Sequence, residues 1–285
     1  MSTRKEHKGL SPSSFQLYQA CGRKYYFSKV AKLPKDRDFD DDSTVFNIGK
    51  AFHRACEDSL HEPSKLSLEE LSGICELHEL DTQEYLPVVM AMLEQYEKVH
   101  VKSGLNVIAC EFEIETDVFY GIADVILADK SGNWWIGDLK TAASFTPQQV
   151  AGLLAHPQLN LYAAHAPVIA RAFDLSLDKF QGCRYRVTTK SKIKRKAMED
   201  FKDYVYRLGQ SIKSMDFVLP FDRMNSGAIY REHKKALATI KAQDVDAFKP
   251  NYGNCFSYYR PCEFWSQCNG GKCYSEVGEI DVISS

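Results

Sequence analysis

The chain has no run of the ~18 uninterrupted apolar residues that a membrane-spanning helix needs. Its opening Met-Ser-Thr-Arg-Lys-Glu-His-Lys also lacks the apolar stretch of a secretory leader. A soluble, cytoplasmic protein with no membrane partner is expected. Charge of one sign is missing as well: 36 Lys and Arg stand against 38 Asp and Glu, a net of −2 with a pI near 6.5. No global basic footprint therefore argues for nucleic acid, and such a partner has to be read from local residues. There is no repeat, no low-complexity tract and no Gly-x4-Gly-Lys-Ser/Thr phosphate loop, so a helicase motor would have to come from another chain.

Cysteine is not scarce, but it does not pair off. There are nine, an odd number, and Cys255, Cys262, Cys268 and Cys273 crowd one stretch. In a reducing compartment that crowding points to metal rather than disulfides. The close Cys-x2-Cys knuckle of most structural zinc sites is absent. Cys56, Cys75, Cys110 and Cys183 fall on apolar stripes or strand faces and are expected in the core. A chain of 285 residues buries roughly 75% of its unfolded surface without disulfide help. We expect one domain over 1–285, with a helical portion at 11–105, a sheet-bearing core at 106–215, and a helical, cysteine-rich portion at 216–285.

The apolar period is near 3.6 through the first hundred residues. Ser11 before Pro12 starts a helix carrying Ser14, Tyr18, Cys21 and Tyr25 on one stripe. Phe46, Phe52, Cys56 and Leu60 mark a second helix, with His53 and Glu57 on a common face. Ser67 and Glu70 form a capping box for the helices of 67–102. The period then falls to 2. Ile108, Cys110, Phe112 and Ile114 alternate with Ala109, Glu111, Glu113 and Glu115 in a strand. Strands at Tyr120–Ala128 and Trp134–Thr141 follow, joined by an Asp129 to Asn133 turn. Helix returns at 147–170 with a fresh start at Pro157, a strand covers Gln181–Thr188, and Met198, Phe201, Val205, Leu208 and Ile212 keep the spacing of a long amphipathic helix. That order belongs to an α/β sandwich.

Charges interrupt faces that otherwise look buried: Asp124 lies between Ile122 and Ile126, and Asp138 and Lys140 follow Trp134 and Ile136. An unpaired carboxylate there would cost several kcal/mol, so a proton, a partner or a cation must neutralise it. An isolated Asp-x-Lys is ordinarily a structural pair. Two carboxylates converging from adjacent strands with a Lys beside them make instead a hard-oxygen site suited to Mg²⁺ or Mn²⁺ and to phosphodiester hydrolysis. Asp124 and Asp138 would bind the metal with the Leu139 carbonyl as a further ligand, and Lys140 would orient water or offset negative charge.

These residues resemble a family. Gly121-Ile-Ala-Asp124 and Asp138-Leu139-Lys140 are similar to the two core motifs of the PD-(D/E)XK nuclease superfamily. Gln158-Leu-Asn-Leu-Tyr162 resembles the Gln-x-x-x-Tyr motif of its RecB/AddB-type branch, and Gly49-Lys-Ala-Phe-His53 with Glu57 resembles that branch's histidine helix. Four motifs in this order, over residues 11–270, form a specific pattern. The resemblance implies a restriction-endonuclease-like mixed sheet flanked by helices, His53 completing the metal site, and Gln158 and Tyr162 lining the cleft. A helix histidine satisfied by packing and a buried tyrosine with an amide partner are the plainer alternatives. Glu111 lies where the branch often carries an acid, though Glu113 and Glu115 beside it also suit a solvated edge.

Cluster-bearing members of that branch take one cysteine from an N-terminal helix and three from a C-terminal stretch. By this likeness Cys21, Cys255, Cys262 and Cys268 would hold a 4Fe-4S cluster stapling the C-terminus, with zinc as the alternative and Cys273 able to replace Cys21. Arg184, Arg186, Lys190, Lys192, Lys194, Arg195 and Lys196 put seven cations into thirteen residues, either a solvated face or a phosphate track. Tyr252, Phe256, Tyr258, Tyr259, Phe264 and Trp265 would wrap the cluster or stack on bases. The expected function is a Mg²⁺- or Mn²⁺-dependent DNA exonuclease of repair, recombination or degradation, acting on DNA with a free end or single-stranded region. Alternatives are a nuclease subunit beside a helicase or recombination partner, and a silent DNA-binding scaffold.

Overall fold

The computed structural model describes residues 8–36, 43–61, 66–242, 245–257 and 260–268. In chain order the elements are α1 (Pro12–Ala20), α2 (Gly22–Tyr25) continued by a π-helical turn, α3 (Ser43–His61), α4 (Leu68–Leu77), α5 (Thr82–Ser103), β1 (Asn106–Glu115), β2 (Tyr120–Ala128), β3 (Trp134–Ala142), α6 (Pro147–Ala155), α7 (Pro157–Ala164), α8 (Ala166–Ala172), β4 (Phe180–Thr189), α9 (Phe201–Ser211), β5 (Ser214–Pro220), α10 (Ser226–Ala242), β6 (Phe256–Ser257), β7 (Arg260–Pro261) and α11 (Trp265–Cys268). The expected caps form. The Ser11 hydroxyl accepts the Ser14 amide, and Ser67 with Glu70 closes the reciprocal capping box. Such caps stabilise a helix start by about 1 kcal/mol each.

The chain divides into two compact units. The larger, residues 42–116 and 120–230, holds a five-stranded sheet in the order β1-β2-β3-β4-β5. All neighbours are antiparallel except β3 and β4. A parallel pair needs a long crossover, and α6, α7 and α8 supply it. Ala51, Phe52, Met92, Tyr96, Leu139 and Leu208, from α3, α5, β3 and α9, share one buried core. This is the expected α/β restriction-endonuclease-like arrangement, a mixed sheet flanked by helices after a helical N-terminal portion.

The smaller unit comprises residues 1–41, 117–119 and 231–285. Within it the Leu10 amide donates to Val118 O at 3.1 Å. The buried His233 ring sets Nε2 2.8 Å from Leu10 O, with Phe15 and Phe119 rings 5.1 and 5.9 Å away. Fully buried Phe248 packs against Tyr18, Tyr25 and Tyr26.

Three local expectations change. In β1 a bulge between Val107 and Ala109 shifts the register, so Ile108 turns outward at 39% exposure instead of sharing a face with Cys110, Phe112 and Ile114. Met198 is wholly exposed before α9, whose buried stripe is Tyr204, Val205 and Leu208. Residues 214–220, which cross the boundary expected between the sheet-bearing core of 106–215 and the helical portion of 216–285, form strand β5, whose short alternation Met215, Phe217, Leu219 was the overlooked signal. Cys56, Cys75 and Cys183 are fully buried as expected, whereas Cys110 is only partly so.

Candidate active site

β2 and β3 pair from Ala128–Trp134 to Val125–Gly137, where their ladder stops. Beyond it the Asp124 side chain takes the place of a strand partner: Oδ2 accepts the Leu139 amide at 2.6 Å. Asp138 is 1% exposed. Its Oδ1 accepts Gln158 Nε2 at 2.6 Å and its Oδ2 faces Lys140 Nζ at 2.7 Å.

α7 starts where it does because His156 Nδ1 accepts the Gln158 amide at 3.3 Å and Pro157 suits the first turn. One turn on, the Tyr162 hydroxyl donates to Ile122 O at 2.5 Å and accepts from Gln158 Nε2 at 3.2 Å. Gln158 thus ties α7 to β3 and Tyr162 ties it to β2. Tyr162 is 2% exposed, the buried tyrosine with an amide partner. α3 brings His53, whose Nδ1 lies 4.0 Å from Asp124 Oδ2.

Burial, then the charge of Asp124, pushes the Asp138 carboxyl up to about 7 against the opposing pull of Lys140. Burial likewise raises Asp124 to about 6, opposed by the Leu139 amide. His53 keeps 35% of its side chain accessible, yet burial, reinforced by Lys140 and Lys190, lowers it to about 4 against the charge of Asp138. The imidazole is therefore neutral near pH 7, the form in which histidine ligates a metal. Glu111 joins this acidic region from β1 with φ +47, a left-handed backbone at a non-glycine residue. Burial, then Glu57 and Asp138, raises its carboxyl.

A buried acid paired with an ammonium, a half-buried acid next to it and a neutral imidazole alongside are a donor set that suits Mg²⁺ or Mn²⁺. As placed, no group of three or more His, Cys, Asp or Glu side chains among the described residues is set to hold a metal ion. At Asp138, Oδ1 is held by Gln158 and Oδ2 lies in an ion pair with Lys140. The ammonium occupies the position of countercharge that a cation would share.

The basic run does not stay together. Arg184 Nη2 pairs with Asp216 at 2.7 Å, and Arg186 grips the same carboxylate through Nε and Nη2 at 2.7 and 2.9 Å. Their side chains are 15% and 6% exposed, so these two are sheet ion pairs and not a phosphate track. Burial works against the Asp216 carboxylate, but the two guanidinium groups outweigh it and hold its pKa below the ordinary value. Lys190, Lys192, Lys194, Arg195 and Lys196 remain outside that pairing.

In the smaller unit Cys21 Sγ accepts the amides of Lys24 and Asn251 at 3.4 Å each. Ala20 O takes Asn251 Nδ2 and Asn254 Nδ2 at 3.0 and 2.6 Å. The Cys262 amide donates to Cys255 O at 2.7 Å. Burial, then Cys21, Cys262 and Cys255, raises the Cys268 thiol to about 11. Cys21, Cys262 and Cys255 all weigh on the Cys268 thiol, but among the described residues the cysteines are not placed as a group that could hold a metal ion. Cys273, Tyr258 and Tyr259 lie outside the described residues. Phe264 is buried against Phe27, while Tyr252 is 77% exposed.

Sequence reasoning named His53, Asp124, Asp138, Leu139, Lys140, Gln158 and Tyr162, and the fold brings them together. It missed His156, whose signal was a histidine directly before Pro157 at a helix start.

No curated protein sequence matches the chain. Among solved structures it is similar to one titled "Crystal structure of SSO0001" at 11% identity, with 85% of this chain and 80% of that chain covered and a TM-score of 0.31, too loose a likeness to bear on function. The family profile described as the PD-(D/E)XK nuclease superfamily, whose members generally use Mg²⁺ or Mn²⁺, matches residues 9–269. With both carboxylates, the lysine and the sheet that presents them in place, the chain belongs to the PD-(D/E)XK nuclease superfamily.

Proposed function

We propose that the protein is a Mg²⁺- or Mn²⁺-dependent DNA exonuclease in which Asp124, Asp138, the Leu139 carbonyl and His53 hold the metal. The observation that carries this is Asp138, a buried carboxylate raised to about 7 and placed between Gln158 and Lys140 beside a second raised carboxylate. A divalent ion bound there would polarise the scissile phosphate and lower the pKa of an attacking water. Gln158 fixes the Asp138 carboxylate, Tyr162 holds α7 on β2, and Lys140 supplies a movable positive charge for the phosphate or the water.

We assign the chain to the RecB/AddB-type branch from the Gln158–Tyr162 and His53 motifs. The preference for DNA ends rests on resemblance to that branch's cluster-bearing members, as does a place in repair or recombination beside a helicase or recombination partner. Cys21, Cys255, Cys262 and Cys268 would hold a 4Fe-4S cluster joining segments about 230 residues apart, as the Cys21 to Asn251 contact already does. One nuclease domain spanning the chain fits the family match at 9–269.

The test is to give end-labelled linear and covalently closed circular DNA to the protein, with and without divalent metal. Metal-dependent loss of linear DNA alone supports the assignment. Degradation insensitive to chelator, or unaffected by Asp138→Ala, refutes it.

A further inference from the structure

Lys190 leaves β4 at the end of the sheet that carries Asp138 and Lys140. Its amide donates to Ala142 O at 2.9 Å, prolonging the parallel β3–β4 pairing by one step. Its side chain then reaches α3, where Nζ donates to Val45 O at 2.7 Å. Val45, Gly49 and His53 are spaced by four and share one stripe of that helix. From Gly49 to His53 is about 6 Å of helix rise.

At Gly49 the helix is bare. A Cβ there would stand 3.2 Å from Thr141 Oγ1 and 3.6 Å from Lys190 Nζ, so the lack of a side chain lets a hydroxyl and an ammonium close together on the α3 backbone. The ammonium has three donors, one of them given to Val45 O. Among the described residues no carboxylate pairs with Lys190, unlike Lys140, Arg184 and Arg186. Burial lowers the pKa of Lys190, as expected of a partly desolvated cation without an anion. Its charge also reaches His53.

We propose that Lys190, the Thr141 hydroxyl and the bare backbone at Gly49 form a phosphate subsite that grips the DNA phosphodiester flanking the one cleaved. Lys190 is then a substrate-positioning residue, distinct both from Lys140 at the chemistry and from the lysines of the following loop. The proposal rests on the nuclease assignment.

The experiment pairs wild type and Lys190→Gln with oligonucleotides in which a single neutral methylphosphonate replaces each phosphodiester in turn. Wild type should lose about tenfold in kcat/KM when the flanking linkage is neutral, the loss of one charge-assisted contact. Lys190→Gln should show a similar loss on all-phosphate DNA, mainly in KM, and no further loss when the flanking linkage is neutral. Its log Kd against log salt slope should fall by about 1. Lys190→Arg should retain most activity, and unchanged thermal unfolding of Lys190→Gln would exclude simple loosening of α3. Losses that multiply at every linkage, or a variant indistinguishable from wild type, would overturn the subsite. Wild type that cleaves no oligonucleotide would instead sink the nuclease assignment itself.

Discussion

Asp124 accepts the Leu139 amide at 2.6 Å at the point where β2 and β3 stop pairing. One carboxylate therefore ends a strand ladder, one residue past the last β2–β3 pair, where its charge acts on Asp138. Replacing Asp124 by Ala leaves the Leu139 amide without that acceptor, a loss of about 1–3 kcal/mol, in addition to abolishing activity. Asp124→Asn keeps an acceptor and should separate the two effects, with stability near wild type by thermal unfolding and activity still lost.

Asp138→Asn should behave in the opposite sense in metal-free protein. Its carboxyl is raised to about 7 by burial and by Asp124, so near pH 8 the folded state holds a charge it would rather not ionise. The variant should unfold at or above the wild-type temperature without metal, while activity falls by at least ~10²-fold. A variant that both unfolds earlier and retains activity would contradict the role given to Asp138.

Activity should rise with pH through about 6 to 7, the range to which burial lifts Asp124 and Asp138. The two titrate as a coupled pair, so a pH–rate profile will report apparent values of the pair. The stability signs differ. The raised carboxyls contribute stability that is full below about 3.8 and is lost as pH climbs through about 7. His53, lowered to about 4, contributes stability that is full above about 6.5 and is lost as pH falls through about 4. Added metal should move the activity limb to lower pH and release protons, which calorimetry in buffers of different ionisation heat would register.

Protein purified without oxygen should be brown and contain iron and sulfide, and Cys21→Ala or Cys268→Ala should lose the colour and unfold at lower temperature. Colourless protein with stoichiometric zinc would replace the cluster by zinc. Colour retained in Cys21→Ala would point to Cys273 as the fourth ligand.

Asp216→Ala leaves Arg184 and Arg186 without their shared carboxylate in the sheet. It should destabilise by about 3–5 kcal/mol and leave the salt dependence of DNA binding unchanged. Neutralising Lys192, Lys194 and Lys196 together should do the reverse, flattening that dependence with little change in stability. Equal effects of the two changes on DNA affinity would remove the distinction between the buried and exposed halves of the basic run.

Where a property depends on neighbours along the chain, it was legible from the residues alone. The helix starts at Ser11, Ser67 and Pro157, the hairpin at Asp129 to Asn133, and the four motifs that carry the family are all local spacings, and the fold keeps them. The phase of β1 was not legible, because a bulge turns Ile108 outward and nothing in an alternating run announces the extra residue. Nor was the fate of Arg184 and Arg186, which depends on Asp216 arriving on a strand some thirty residues later. The same holds for Lys190, which looks like one lysine in a basic run until α3 lies alongside with a glycine beneath it. Sequence chose which residues carry charge and which period each segment follows. Tertiary structure alone decided which charges meet, because burial and pairing depend on distances between segments far apart in the chain, and those distances set the pKa values on which the chemistry runs.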